Sequence, residues 1–362
     1  MAAVSIADVA QRARVSPITV SRVVHQHPNV SRATRERVQR AIVDLNYIPN
    51  AAARSLKHAR SDLIALIITD IFSPFYTAVA RGAEDAARAA GLSLILGNSD
   101  EDAVVEANYL RVMGERRVDG VILSPTDQAA RALERNLPAA LPVVLFDRAL
   151  PGVEADLVRC DTGAGTLALC RHLLALGHRR IAIVGGLPSI PTWAERVAGY
   201  RAALGEAGHK VGDDLVIPGD YKRDGGVAAV GALLAQGVLP DAIIAANAQV
   251  SLGVLDELTR RGYRVPDDVG VAAIDDPLPS VGFWPRLTVV EQPGYEMGKA
   301  AVELVVARLH GTRREPQPWT LVFDAHLRLG TSCGEERPQD TEGQETGDTS
   351  NDDERDPVLS RG

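Results

Sequence analysis

Arg22 and Ile18 stand four residues apart in VSPITVSRVV and, in a helix, face away from Val20, Val23 and Val24. An arginine fork matches guanine O6 and N7. An isoleucine meets a thymine methyl or bars another base, so the pair carries the chemistry of base reading. Ser16, Thr19, Ser21 and Ser31, close to helix N-termini, carry that of phosphate contact. A second set stands just past short apolar runs: Asp70, Ser73, Asn98, Ser124, Asp147, Arg148, Asn247 and Asp275. Carboxylates, hydroxyls, amides and an arginine at the carboxyl ends of strands suit a small polar or polyhydroxylated ligand. Each set also has a plainer reading: a solvated arginine on a helical hairpin, and ordinary turn residues. Catalytic patterns are missing, since GxxxxGKS/T, GxGxxG, HExxH and GxSxG do not occur. DTGAGT at 161–166 lacks a lysine and follows no clear strand end, and His178 reads as part of a helix C-terminus. No catalytic residue, metal site or cofactor is expected.

The first set needs three helices to position it. Ser5 N-caps the first with Asp8 as its capping-box partner, and Ile6, Val9, Ala10 and Ala13 line its inner side. Arg14-Val15-Ser16 leads into the second, where Ser16 caps and Pro17 takes the first helical position. Ser31 caps the third, with Val38, Ala41, Ile42 and Leu45 inward. Two helices joined by about three residues and propped by a third make a helix-turn-helix layout. Beyond Pro49, Asn50 can cap a two-turn helix over 51–57, too short to persist alone in water. Leu56 within it is either a wedge for the minor groove or a residue docked on the domain that follows.

The second set needs strands. From Leu63 the runs LIALIITD, LSLILGN, GVILSP, VVLFDR, IAIVGG, AIIAAN and VGVAAIDD alternate with helical stretches. Such alternation predicts two α/β layers built on doubly wound parallel sheets. After Leu329 every apolar period is lost. The acidic, Gly- and Thr-rich remainder is predicted to be a disordered tail without leucine heptads.

The net charge of −8 conceals a division along the 362 residues. Residues 1–60 hold ten Lys and Arg against three acids, +7, and residues 335–356 hold ten acids against two arginines, −8. A basic head on an acidic chain predicts a polyanionic partner for the head alone. Cys160, Cys170 and Cys333 lack paired spacing, which predicts a reducing cytosol. No signal-peptide layout and no apolar run near about 18 residues appears, so a cytoplasmic protein without a membrane is expected. A solute-binding protein or a sugar-processing enzyme on the same core are the competing classes. The basic head argues against the first, and the missing phosphate loop and nucleophile–base pairs against the second.

SIADVAQRARVSPITVSRVV, NVSRATRERVQRAIVDLNYIPNAAARSL, ERRVDGVIL, RHLLALGHRRIAIVGG, AERVAGYRAAL and EQPGYEMGKAAVELV together resemble the LacI/GalR family of bacterial transcription regulators. The resemblance runs over about residues 4–330, with the motifs in the family's order. It implies a helix-turn-helix domain over 1–47 and a hinge helix over 48–61. A two-lobed core over 62–330, similar to periplasmic sugar-binding proteins, follows. The N-lobe is expected over about 62–160 and 292–322 and the C-lobe over about 161–291 and 323–330, with the tail over 331–362. It implies a repressor that binds a pseudo-palindromic operator as a homodimer, controlled by a small effector, in particular a sugar. DNA contacts are implied at Ser16, Pro17, Ile18, Thr19, Ser21, Arg22, Asn29 and Ser31, and in the hinge at Asn50, Ala53, Leu56 and Lys57. Effector contacts are implied at Phe75, Ser124, Asp147, Arg196, Tyr221, Asn247, Gln249 and Asp275. The chain departs from the family's pattern at three places: Arg14 stands where glycine is usual, NAQ replaces Asn-Asp-x at 247–249, and SPFY replaces Asn-Pro-Phe-Phe at 73–76.

Overall fold

A computed structural model describes residues 4–24, 27–47, 60–209, 212–237, 239–277, 285–312 and 317–334. Asn50, Ala53, Leu56 and Lys57, and all but the last two residues of the expected hinge, lie outside these residues.

The head consists of α1 (Ile6–Ala13), α2 (Pro17–Val24) and α3 (Arg32–Asp44). The Ser5 hydroxyl accepts from the Asp8 N–H at 3.4 Å, and the Asp8 carboxylate accepts from the Ser5 N–H at 2.8 Å. Ser16 and Ser31 likewise accept from the N–H groups of Thr19 and Thr34. Val9, Val20 and Val38 are fully buried, joined by Ala10, Ala13, Val23 and Ala41. Ile6, Val24, Ile42 and Leu45 pack around them half-buried. Arg14 holds the left-handed conformation that α1 needs to end, at φ 53° and ψ 52°.

The first lobe starts with β1 (Leu63–Ile68), α4 (Pro74–Ala89), β2 (Ser93–Asn98) and α5 (Ala103–Glu115). It continues with β3 (Gly120–Leu123), α6 (Ala129–Asn136), β4 (Val143–Phe146) and β5 (Asp156–Asp161). The second lobe starts with α7 (Thr162–Ala175), β6 (Ile181–Val184), α8 (Pro191–Glu206) and β7 (Val216–Ile217). It continues with α9 (Arg223–Ala235), β8 (Ala242–Ala245), α10 (Ala248–Arg260), β9 (Gly270–Ile274) and β10 (Thr288–Glu291). The chain then returns to the first lobe as α11 (Gly294–Leu309), which packs on α4 so closely that a Cβ on Gly82 would overlap the Tyr295 carbonyl. β11 (Thr320–Asp324) joins the first sheet and β12 (His326–Arg328) the second.

The sheet orders are β11-β5-β4-β3-β1-β2 and β12-β10-β9-β8-β6-β7. In each, the chain reverses direction at the first strand of the lobe, which opens a crevice at the carboxyl ends of the neighbouring strands. The second sheet is not wholly parallel, because β12 runs antiparallel to β10. Five strands were not announced by apolar runs. β5 carries Asp156, Arg159 and Asp161 among its six residues, β7 has only two residues, and β11 lies at a sheet edge with Val322 54% exposed. DTGAGT therefore does follow a strand. Asp161 closes β5, and its carboxylate caps α7 by accepting from the Ala164 N–H at 2.9 Å.

The last crossing between lobes falls at Ala325, two residues beyond the expected boundary, because β11 stays paired with β5 as far as Asp324. The acidic tail also starts later than residue 331. Ser332 and Cys333 are buried; the Val271 N–H donates to the Ser332 carbonyl, the Thr288 N–H donates to the Ser332 hydroxyl, and His178 Nε2 lies 2.9 Å from the Cys333 carbonyl. Local composition does not register so short a plug, which long-range bonds hold.

Candidate functional site

Two surfaces collect the residues with chemistry. On α2, Val20 and Val23 turn inward and leave Pro17, Ile18 and Arg22 exposed. Ile18 is 66% exposed, and the Arg22 guanidinium has no acceptor among the described residues. Thr19 and Ser21 are half-buried at its margin. The Ser16 and Thr19 hydroxyls lie 2.9 Å apart, Ser31 donates to the Thr34 hydroxyl, and Asn29 is exposed in the turn before α3. Two helix starts and one outward face thus lie on a small, rigid three-helix unit.

The second surface is a cleft between the lobes enclosing about 640 Å³, part of it open to solvent. The first lobe contributes from the ends of its strands: Thr69 and Asp70 after β1, Asp100 and Glu101 after β2, Asp147 and Arg148 after β4. The second contributes Asp220 and Tyr221 after β7, Asn247 after β8, Asp275 after β9 and Gln292 after β10. Phe75 and Tyr76 enter from the start of α4, and Thr192 and Arg196 from the start of α8.

Arg148 anchors the first wall. It donates to both oxygens of Glu101, at 2.9 and 3.2 Å, and to Asp147 at 3.1 Å. Burial works against its charge, yet Tyr76, Glu101 and Asp147 hold it protonated well above the usual arginine range. The Tyr76 hydroxyl lies 2.9 Å from that of Ser124 and donates to Asp147 at 3.4 Å, while burial pushes the phenol up. In the second wall Arg196 donates to the Ala246 carbonyl at 2.7 Å and the Thr162 hydroxyl at 3.3 Å, and sits 6.0 Å from the Tyr221 ring centroid. Asp275 accepts from the Gln292 N–H at 3.2 Å and from its Nε2 at 2.8 Å. Burial nevertheless raises its carboxyl to about 6, against the pull of Gln292 and Arg196. Asp147 and Asp275 occupy matching places in the two lobes, and both have left-handed backbone, at φ 68° and 61°. Such conformations persist where surrounding structure enforces them, often at ligand sites.

Six of the eight expected effector residues therefore line the cleft: Phe75, Asp147, Arg196, Tyr221, Asn247 and Asp275. Ser124 does not. It is fully buried behind Tyr76, whose larger ring occupies the position it would need to reach a ligand. Gln249 does not line it either, because its Nε2 donates across the mouth to the Phe72 carbonyl of the other lobe at 3.0 Å. Lys222 makes a second link across the mouth, 3.0 Å from Asp100. Asp70, Ser73 and Arg148, read from the sequence as strand-end residues suited to a ligand but not implied as effector contacts by the resemblance, line the cleft too. The sequence reading missed Tyr76, Asp100, Glu101, Thr192, Asp220, Lys222 and Gln292; the motifs SPFY and EQPGYEM held Tyr76 and Gln292 in view, whereas nothing local marked Glu101. Among the described residues no group of His, Cys, Asp and Glu could hold a metal ion, and no helix is long and apolar enough to cross a membrane.

Residues 5–50 match the family model of the bacterial regulatory proteins of the lacI family. Residues 61–320 match that of the periplasmic binding proteins and sugar binding domain of the LacI family. Catabolite control protein A of Priestia megaterium is 36% identical over 303 residues, covering 83% of this chain and 91% of its own length. The ribose operon repressor of Escherichia coli K12 is 34% identical over 305 residues, covering 83% and 92%. Among solved structures, the lac repressor dimer bound to operator and the anti-inducer ONPF is similar with a TM-score of 0.78 at 28% identity, over 92% of this chain and 99% of that one. The complex of the transcriptional regulator CelR with cellobiose has a TM-score of 0.68 at 32% identity, over 91% and 99%.

Proposed function

The chain belongs to the LacI family of bacterial regulatory proteins, and on that premise we propose that it is a repressor whose operator binding is set by a sugar in the interlobe cleft. The observation that carries this reading is the exposed Ile18–Arg22 face, held out by Val20 and Val23, on the same chain as a polar cleft at the carboxyl ends of two sheets. Two heads of a homodimer read the halves of a pseudo-palindromic operator. Arg22 is the strong polar base reader, Ile18 reads methyls and shape, and Pro17, Thr19 and Ser21 border them. Ser16, Asn29 and Ser31 set register on phosphates. The hinge over 48–61 adds Asn50, Ala53 and Lys57, with Leu56 as a minor-groove wedge. Phe75, Asp147, Arg196, Tyr221, Asn247 and Asp275 hold the effector, Ser124 positions Tyr76, and Gln249 ties the lobes.

The relatives' names support the sugar: CelR is complexed with cellobiose and the E. coli relative is the repressor of a ribose operon. The protein acts in the cytoplasm and does no chemistry on its ligand; incubation with the sugars used below should return them unchanged. Selection from random duplex DNA at low salt tests the main reading. A palindromic site should be enriched, and Leu56→Ala should weaken binding to it while leaving the fold intact. Failure to enrich any palindrome would sink the reading.

A further inference from the structure

The charges lining the cleft are out of balance. Among the described residues six carboxylates face three cations. Two of the cations are already engaged: Arg148 by Glu101 and Asp147, Lys222 by Asp100. Arg196 gives two of its nitrogens to Ala246 and Thr162, which leaves one terminal nitrogen for a ligand. Against it stand Asp70, Asp220 and Asp275, none in an ion pair among the described residues. Among the described residues the Asp70 carboxylate accepts the Phe72 N–H and the Asp220 carboxylate the Lys222 N–H.

The backbone offers an anion fewer donors than the helix starts at the cleft would otherwise supply. Helix N-termini bind phosphate through their unpaired N–H groups. α4 and α8, which open onto the cleft, both begin with proline, Pro74 and Pro191, so each lacks one of those donors. The start of α10 is occupied by Asn247, whose Oδ1 accepts from the Val250 N–H at 2.8 Å. Acceptors, by contrast, are in surplus. Gln292 lines the cleft, its Nε2 is held by Asp275, and its Oε1 is buried without a donor among the described residues. A buried acceptor in that state calls for a donor from the ligand.

We infer that the cleft takes an uncharged polyhydroxylated ligand and rejects its phosphate ester, with Gln292 Oε1 and the Asp275 carboxylate accepting from hydroxyls. This rests on the cleft being the effector site. A hydroxyl satisfies a carboxylate or amide acceptor by donating. A phosphate dianion cannot donate, and it would meet three carboxylates that have no ion-pair partner among the described residues, with one guanidinium nitrogen of Arg196 left to receive it.

The test uses the full chain in thermal-shift and calorimetric titrations. The probes are glucose, ribose, mannitol and cellobiose, set beside glucose 6-phosphate, ribose 5-phosphate, mannitol 1-phosphate and inorganic phosphate. At least one neutral probe should raise the melting temperature. Its ester should bind at least ~100-fold more weakly, and the neutral ligand's Kd should barely respond to added salt. Gln292→Leu should weaken the neutral ligand by ~10-fold without strengthening the ester; unchanged affinity would remove Gln292 from the proposal. An ester that binds as tightly as its parent overturns the charge inference and leaves the effector site standing. Silence in both arms overturns the effector site, and the inference with it.

Discussion

Replacing Asp275 by asparagine separates the cleft's function from the stability of the fold. Asp275 is 8% exposed, and burial raises its carboxyl from 3.8 to about 6, although Gln292 and Arg196 both favour the charged form and Asp147 opposes it. The folded chain thus holds this proton more tightly than the unfolded one, so ionising the group costs stability. The cost is absent below 3.8 and complete above about 6. At about 1.36 kcal/mol per pH unit it reaches about 3 kcal/mol at pH 8 and about 1.6 kcal/mol at pH 5. Asparagine keeps the shape and never ionises. The stability of Asp275→Asn minus that of the parent should therefore rise by about 1.4 kcal/mol between pH 5 and pH 8. Urea unfolding of both chains at both pH values, without ligand, measures this directly. A difference that is flat with pH, or that falls as pH rises, would refute the view that the carboxylate is held charged at a cost. The same variant should lose effector binding, which places a stability gain and a functional loss on one residue.

Three further outcomes are expected. Arg14→Gly should stabilise the head by about 1 kcal/mol, because φ 53° suits glycine better than a residue with a Cβ; thermal unfolding of the head by circular dichroism checks it, and a loss would show that the Arg14 side chain contributes more than its backbone costs. Val20→Ala should destabilise the head by about 2 kcal/mol and abolish operator binding while ligand binding in the cleft persists, since Val20 is fully buried in a core confined to the three helices. Arg22→Ala should cost ~1–3 kcal/mol at one base position in a binding-site scan. An equal loss on every sequence would make Arg22 a phosphate contact instead.

The head was legible almost residue by residue. Ser5 with Asp8, Ser16 before Pro17, Ser31, and the valine spacing of α2 act within one or two helical turns, so local order suffices to read them. The cleft was legible as a place, because strand ends and the reversal of strand order follow from alternating apolar runs and helices. Its membership was not. Arg148 meets Glu101 across 47 residues of chain, Lys222 meets Asp100 across 122, and Gln292 meets Asp275 across 17. Ser124 stands at a strand end as expected and is nonetheless shut behind Tyr76. The residues by themselves determined the capped helices, the outward face of α2 and most of the strands, because those depend on neighbours in sequence. Which charges are neutralised, which acceptor is left wanting and which side chains line the cleft were decided only when strand pairing within each sheet and the crossings between lobes brought distant strand ends together. Electrostatic pairing and burial depend on that proximity in space and not on spacing along the chain.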